Sequence, residues 1–142
     1  MLRVIRPCDE VIIVDSSSTN ATRGVVPFSG QVRYFYEPHL NMPEARNFGI
    51  KVAKGEILLF IDDDAVIVNK TFLEDILKVY RQHDDVVGVG TRIIEDYKPL
   101  GPPGCKMLPW GDYIANFQAG NSVVEVDSLK GCSMSFRKEA LV

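Results

Sequence analysis

The chain has 142 residues, of which 46% are apolar and 25% are charged, and its formal net charge is −3. This composition is typical of one folded globular domain and excludes a disordered chain. The small negative charge gives no basic surface for nucleic acid, and no apolar run approaches the roughly 20 residues that cross a bilayer.

The number and spacing of the cysteines indicate the redox state of the cellular compartment in which the protein is found. Cys8, Cys105 and Cys132 are widely spaced and form no Cys-x-x-Cys motif. An odd number of cysteines without such a motif favours free thiols in a reducing compartment over a disulfide framework. The N-terminus also lacks the apolar core of a signal peptide. We therefore expect a cytoplasmic protein, or one that segments outside this chain hold at the cytoplasmic face of a membrane.

The first predicted strand is a short β-branched run that ends in an acid. Residues 11–14 are too short and too branched to favour a helix, and Asp15 follows them at the start of a polar turn. A carboxylate at a strand end can accept hydrogen bonds from a ribose or a base. Its alternative role is local, as an Asx turn or a helix N-cap. A second strand is predicted over residues 32–37.

A helix is predicted to follow, from Asn41 to Gly55. Asn41 suits the N-cap, Glu44 suits the first turn, and Gly55 suits a left-handed stop. Small apolar residues at helical spacing would let the helix lie close to a sheet. These residues are Ala45, Gly49, Val52 and Ala53.

Arg46 falls in the first turns of this predicted helix. The positive end of a helix attracts anions, so an arginine there suits an anionic ligand. The alternative role of Arg46 is that of a surface ion-pair partner, which contributes little.

The strongest signal is an apolar strand that ends in three acids. Residues 57–61 are uniformly apolar, as in a strand buried on both faces of a parallel sheet, and Asp62, Asp63 and Asp64 follow directly. Three ionised carboxylates in a poorly solvated crevice repel one another, and Mg²⁺ or Mn²⁺ would remove that repulsion. Ligands also bind at the carboxyl ends of strands in open α/β sheets. A solvated acidic turn is the alternative.

The rest of the chain continues the alternation. We expect a helix over 71–82 that starts with a capping box, a strand over 86–93, a proline- and glycine-rich loop over 100–110, and a strand over 123–129 before a turn at Gly131. Trp110 and Tyr113 are predicted either to stack on an acceptor sugar or lipid, or to anchor the loop in the core.

Taken together, these segments resemble the nucleotide-binding half of the family-two glycosyltransferases. The resemblance implies a GT-A fold: a three-layer, Rossmann-like α/β domain with a mostly parallel sheet and helices on both faces, here incomplete. It spans about residues 3–141, with a divergent stretch between 93 and 123. The matching segments are the strand ending at Asp15, Ala45-Arg46-Asn47-Phe48-Gly49, Phe60-Ile61-Asp62-Asp63-Asp64 and the glycine-centred segment 126–141.

The resemblance implies a role for each candidate residue. Asp15 matches the acid that contacts the donor's base, and Arg46 matches an arginine near the base and diphosphate. Asp62 and Asp64 match the Asp-x-Asp motif, in which Asp62 leans toward the ribose and Asp64 binds the Mn²⁺ or Mg²⁺ that bridges the diphosphate. The implied reaction transfers a sugar from a nucleotide-diphospho-sugar to a sugar, polysaccharide or lipid-linked acceptor, with inversion and metal dependence.

The resemblance also implies an organisation. The donor-binding half covers about 1–93, a variable acceptor-side loop about 94–122, and an acceptor-side segment 123–142. Family members begin with a further strand and helix, so residues 1–9 correspond to the end of that helix and the connection after it. They place the catalytic base later than the segment ending at Val142. We therefore expect a partial domain that does not transfer sugar by itself.

Two other functions fit parts of the pattern. An acid-x-acid after an apolar strand also opens the motif of haloacid-dehalogenase-like phosphatases, with Asp62 as nucleophile, but that assignment leaves the segment around Arg46 unexplained. A non-catalytic module that keeps only nucleotide binding is the second alternative. Covalent aspartyl phosphate at Asp62 would indicate the phosphatase, and donor binding without turnover would indicate the module.

Overall fold

The computed structural model describes residues 5–27, 29–96 and 101–142. Two features expected from the sequence fall partly outside the described residues: the end of a first helix at residues 1–4, and the beginning of the proline-rich loop at Leu100. The chain forms two compact units, each described here by itself. The first unit comprises residues 1–58 and 137–142, and the second comprises residues 59–136.

The first unit contains two parallel strands that follow the predicted alternation. Strand β1 (Val11–Asp15) pairs with β2 (Val32–Tyr36), and a short 3₁₀ helix (Asn20–Gly24) lies between them in sequence. In the register, Ile13 lies opposite Tyr34 and Asp15 lies opposite Tyr36. Because side chains alternate along a strand, Asp15 and Tyr34 point to the same face of this sheet.

The helix of the first unit, α1 (Met42–Val52), begins as the sequence predicts. Asn41 and Glu44 form a reciprocal capping box, with both side-chain-to-backbone bonds at 2.9 Å. The predicted stop is wrong: the helix ends at Val52, Ala53 is extended, and Gly55 has no positive φ.

The face of α1 with small residues packs on β1, as its spacing predicts. A Cβ atom at Gly49 would lie 3.9 Å from Val14 Cγ2, which is ordinary van der Waals contact. One residue earlier, the Phe48 ring meets the Phe35 ring edge-on at 5.3 Å between centroids. Such edge-to-face pairs add stability beyond the apolar area that they bury.

The charged side chains of Glu10 and Arg33 bond to the backbone at the C-terminal end of α1, where a glycine stop was predicted. Glu10 accepts hydrogen bonds from Lys54 N at 2.5 Å and Gly55 N at 3.3 Å, and also pairs with Arg33 Nη1 at 2.8 Å. Arg33 Nη1 in turn donates to Val52 O at 2.8 Å, which satisfies a carbonyl at the helix end. Burial by itself would raise the pKa of Glu10, but the bonds from Lys54, Arg33 and Gly55 hold it below its ordinary value.

We expect Glu10→Ala to destabilise the protein by about 1–3 kcal/mol, because it leaves Arg33 and the amide of Lys54 without their shared carboxylate. The shift of the denaturant midpoint measures this loss. Glu125→Ala, at an exposed loop position, is the matched control. Equal midpoints for the two variants would show that the Glu10 bonds contribute nothing to stability.

The second unit contains most of a three-stranded sheet of order β3-β7-β4 and one helix. The strands are β3 (Ile57–Ile61), β4 (Gly88–Gly90) and β7 (Ser133–Arg137), and the helix is α2 (Phe72–Gln82). Strand β3 and α2 occupy their predicted residues, although β3 is half-buried rather than fully buried along its length. The predicted capping box of α2 is wrong, since the Thr71 hydroxyl donates to Asp75 Oδ2 at 2.7 Å.

The core of this unit joins α2 to β7. Ile76 and Tyr80 are the buried residues of α2, and Tyr80 Oη lies 3.0 Å from the Oγ of Ser135, which is fully buried. Ser135 Oγ also donates to Val89 O at 3.0 Å. The buried hydroxyls are therefore hydrogen-bonded, as burial of polar groups requires.

The predicted strand over 86–93 shortens to the three residues of β4, and two glycines explain its close packing. A Cβ atom at Gly88 would lie 2.9 Å from the Phe136 ring, and one at Gly90 would lie 2.9 Å from Leu129 Cδ2. Any larger residue at either position would therefore force Phe136 or Leu129 to move.

Two further predictions in this unit are wrong. The expected loop over 100–110 contains β5 (Gly104–Met107), which pairs antiparallel with β6 (Tyr113–Asn116). The expected strand over 123–129 is absent from the described structure, because its polar groups bond elsewhere: Asp127 N donates to Cys105 O at 2.9 Å, and Asp127 Oδ2 accepts from Met107 N at 2.8 Å.

The mixed α/β class is as expected, but the mostly parallel sheet is not confirmed. Strands β1 and β2 pair in parallel, whereas β4 with β7 and β5 with β6 pair antiparallel. Mixed pairing is common in α/β domains that carry an antiparallel strand. No helix in the described parts of the chain is both long and apolar enough to cross a membrane.

Candidate functional site

Asp15 ends β1 in the first unit, where its carboxylate is held by three close hydrogen bonds. Oδ1 accepts from Ser17 N at 3.0 Å and Ser17 Oγ at 2.5 Å, and Oδ2 accepts from Tyr34 Oη at 2.5 Å. The bond to Ser17 N is the Asx turn that the sequence offered as an alternative role. Asp15 is 7% exposed, so β1, its turn and β2 together fix the carboxylate.

These bonds shift the ionisation of both partners. The hydroxyl of Ser17 and then that of Tyr34 lower the pKa of Asp15 from 3.8 to about 2. Burial, followed by the neighbouring Asp15 carboxylate, raises the pKa of Tyr34 from 10.0 to about 12. Asp15 is therefore an anion and Tyr34 a neutral donor across the physiological range.

Acid is expected to weaken the fold through Asp15. Because its folded pKa lies below the unfolded value, its stabilisation is fully present above pH 3.8 and is lost as the pH falls through about 2. Tyr34→Phe removes one donor, so we expect the Asp15 carboxyl to titrate at a higher pH, nearer 3.8. Carboxyl chemical shifts in an NMR titration measure this. An unchanged Asp15 titration in Tyr34→Phe would contradict the hydrogen bond.

Arg46 and Arg23 both lie in the same unit as Asp15. Arg46, which the sequence singled out, is half-buried in the second turn of α1. Arg23, which the sequence analysis missed, places its guanidinium 5.0 Å from the centre of the Tyr34 ring. No local pattern links Arg23 to Tyr34, because the pairing of β1 with β2 determines which face of the sheet Tyr34 occupies.

The three acids lie in the second unit, in a turn directly after β3. Asp62 is half-buried; its amide donates to Cys132 O at 3.2 Å, and its carbonyl accepts from Ala65 N at 3.1 Å. Asp63 and Asp64 are exposed. The sheet therefore holds the backbone of Asp62, while the carboxylates of Asp63 and Asp64 face solvent. The structure places Asp15 and Arg46 in one unit and Asp62 and Asp64 in the other.

Comparison with known families decides the class of protein. The sequence model of glycosyl transferase family 2 matches residues 3–141, nearly the whole chain. The chain belongs to glycosyl transferase family 2. No curated protein and no solved structure shows significant similarity to it.

Membership in family 2 supports a glycosyltransferase domain that uses nucleotide-sugar donors and acceptor substrates. It also favours the transferase over the phosphatase, whose motif normally lies on the first strand of the fold. In this family-2 domain the acids follow β3, with β1 and β2 earlier in the chain.

Family-2 enzymes commonly use divalent metals. The arrangement of Asp62, Asp63 and Asp64 shows whether these acids could hold such an ion. The described residues contain no group of three or more His, Cys, Asp or Glu side chains that could hold a metal ion. However, Mg²⁺ and similar ions often take only one or two protein carboxylates and complete their shell with phosphate and water. The exposed carboxylate of Asp64 suits a metal that arrives with a diphosphate, and does not form part of a preformed cage.

The second unit of this family-2 domain also contains a turn and a hairpin. Ser133 N donates to Lys130 O at 3.3 Å, which forms the predicted turn around Gly131. On the β5–β6 hairpin, Trp110 is 71% exposed and Tyr113 is 69% exposed. The prediction that these rings anchor a loop in the core is therefore wrong, whereas the stacking role stays a prediction.

All three cysteines are free, as the sequence predicts. Cys8 is exposed and Cys132 is half-buried. Cys105 belongs to strand β5 of the hairpin, and its side chain is buried. None of them forms a disulfide, so hydrogen bonds and packing alone hold the hairpin in the described structure.

Proposed function

We propose that this domain transfers a sugar from a nucleotide-diphospho-sugar to an acceptor, with inversion and with a divalent cation. The observation that carries the proposal is the position of Asp62, Asp63 and Asp64, directly after β3 in a chain that belongs to glycosyl transferase family 2. Departing diphosphate carries more negative charge than the intact donor, so catalysis requires positive charge at that point. Bound Mn²⁺ or Mg²⁺ would supply it as a Lewis acid.

Within this proposal, each candidate site residue has a defined task. Asp64 holds the cation through its exposed carboxylate, and Asp62, fixed by its backbone bonds, accepts from the ribose. Arg46 attracts the diphosphate from the first turns of α1, where the helix end is positive.

The proposed task of Asp15 is to accept a hydrogen bond from the donor's base. An ionised carboxylate offers about four acceptor positions, and Ser17 and Tyr34 use three of them. A base N–H therefore has to share Oδ2 with Tyr34 or displace it. Either way, the anionic state that these bonds enforce is the state that accepts.

Calorimetry with nucleoside diphosphates, in the presence of Mn²⁺ and then of a chelator, tests the proposal. We expect saturable binding of at least one of UDP, GDP, CDP and dTDP, with loss of affinity when the chelator is added. No binding under either condition would reject the proposal. Phosphate covalently attached to Asp62 would instead identify a phosphatase.

Sugar transfer also requires a catalytic base that removes the proton of the acceptor's hydroxyl group. The family resemblance places the base later than Val142, so we expect the chain by itself to bind donor without transferring sugar. Release of nucleoside diphosphate that depends on an added acceptor would contradict this. Donor binding without turnover in a longer polypeptide that contains the catalytic base would favour the non-catalytic module.

A further inference from the structure

The β5–β6 hairpin of the second unit carries a group of large, exposed apolar side chains. Met107 and Tyr113 lie opposite each other across the two strands, and Trp110 lies in the connecting turn. Met107 is 59% exposed, Trp110 71% and Tyr113 69%. Large apolar side chains grouped on one surface feature indicate a binding function more often than isolated ones do.

The turn that carries Trp110 is well defined. Leu108 N donates to Asp112 O at 2.7 Å, and Gly111 N donates to Leu108 O at 2.9 Å. Gly111 has a φ of +94°, a conformation that favours glycine. The indole Nε1 of Trp110 donates to Asp112 Oδ2 at 2.9 Å, so the ring is oriented although it is exposed.

From this geometry we propose that the hairpin tip, defined as Met107, Trp110, Asp112 and Tyr113, binds a sugar ring of the acceptor. The inference rests on the proposed function, because a sugar acceptor is required if the domain transfers sugar. A pyranose presents C–H groups on its faces and hydroxyls at its rim. Flat aromatic rings beside a carboxylate match both, because the rings cover the apolar face and the acid accepts from hydroxyls.

The charges of the hairpin favour a neutral carbohydrate over a lipid surface. Proteins that bind anionic membranes combine aromatic residues with an excess of lysine and arginine. Here the ammonium of Lys106 lies 3.5 Å from Asp127 Oδ1, and Asp112 adds a second carboxylate to the region. The backbone amide of Met107 and then Lys106 keep the pKa of Asp127 below its ordinary value.

The hairpin is also within reach of the three acids in the same unit. Asp127 bonds to β5 through Cys105 O and Met107 N, and Cys132 O accepts from Asp62 N. Cys132 is the fifth residue after Asp127, and five extended residue-to-residue steps span at most about 18 Å. An acceptor of a few sugar units held at the tip is therefore long enough to extend toward the strand end at Asp62.

Trp110 is the only tryptophan of the chain, so its fluorescence reports on the tip directly. We would titrate the protein, without donor, with the methyl glycosides of glucose, galactose, mannose and N-acetylglucosamine. We expect a saturable change in emission with at least one of them. We also expect about tenfold weaker binding in Asp112→Asn, which keeps the shape and removes the charge, and loss of binding in Tyr113→Ala.

Saturation-transfer NMR extends the test to Trp110→Ala, which has no tryptophan fluorescence and should show no transfer to the glycoside. Val25→Ala, an equally exposed apolar position in the first unit, is the control and should bind like the parent. Unchanged glycoside affinity in both Asp112→Asn and Tyr113→Ala would overturn the proposal, whatever the stability of the Trp110 variant.

Three other outcomes would also overturn it. They are no response to any glycoside, a blue shift only with phosphatidylcholine vesicles, and a shift that follows protein concentration and dimer formation. Nucleoside diphosphate binding, measured on the same sample, separates the two proposals. If the diphosphate binds and no glycoside does, only the hairpin assignment fails; if neither the diphosphate nor a glycoside binds, the proposed function fails as well.

Discussion

Asp64→Ala is expected to abolish Mn²⁺-dependent binding of nucleoside diphosphate. Asp64 is the exposed acid that the family resemblance assigns to the metal, and the described structure has no cluster that could replace it. Without its carboxylate the cation loses its protein ligand, and the diphosphate loses its counter-charge. Calorimetry with Mn²⁺ measures the effect, and binding is expected to fall below detection.

The neighbouring acid provides a matched control for that experiment. Asp63→Ala removes the same charge from the same turn, and Asp63 is as exposed as Asp64. If the effect of Asp64 depended only on the charge of the turn, both variants would lose affinity equally. Metal-dependent affinity that survives in Asp64→Ala, or that disappears equally in Asp63→Ala, would contradict the assignment of Asp64 as the metal ligand.

Arg46→Ala is expected to weaken nucleoside diphosphate binding by about 2 kcal/mol, the range for hydrogen bonds to a charged group. An exposed ion pair contributes only about 0.2 to 1 kcal/mol, so the size of the loss distinguishes the two roles of Arg46. Arg46 is half-buried in α1, which limits its screening by solvent. The measurement is again calorimetric, with thermal unfolding to confirm that the variant folds.

Two further variants sharpen the test of Arg46. Arg46→Lys should recover only part of the affinity, because an ammonium lacks the planar, bidentate fork of a guanidinium. Lys51→Ala removes a positive charge from an exposed position of the same helix and should bind like the parent. If Arg46→Ala and Lys51→Ala bind equally well, Arg46 is a surface residue and not part of the donor site.

Local signals predicted the first half of the chain well. The apolar runs before Asp15 and Asp62 are strands, and Asn41 is the N-cap of α1, as predicted. In each case a few neighbouring residues contain the whole signal, because strand propensity and helix capping act over one or two turns of chain.

Predictions failed where residues far away in sequence form the hydrogen bonds that were expected to be local. The helix was expected to stop at Gly55, but it ends at Val52, where Arg33 donates to the Val52 carbonyl and Glu10 accepts from the Lys54 amide just after the helix. The segment at Asp127 was expected to form a strand, but it bonds to Cys105 and Met107 of the hairpin instead. Pairing over such separations depends on the fold and leaves no local trace.

For the candidate site, the sequence by itself determined which acids follow a strand, that Arg46 lies near a helix start, and the family to which the chain belongs. The strand and helix signals are local in sequence, so composition and spacing reveal them, whereas the family follows from the match of its sequence model to residues 3–141. Only the tertiary structure decided that Tyr34 donates to Asp15, that Arg23 lies over the Tyr34 ring, and that Trp110 and Tyr113 face solvent. The physical reason is that burial and hydrogen-bond partners are set by strand pairing between residues far apart in the chain.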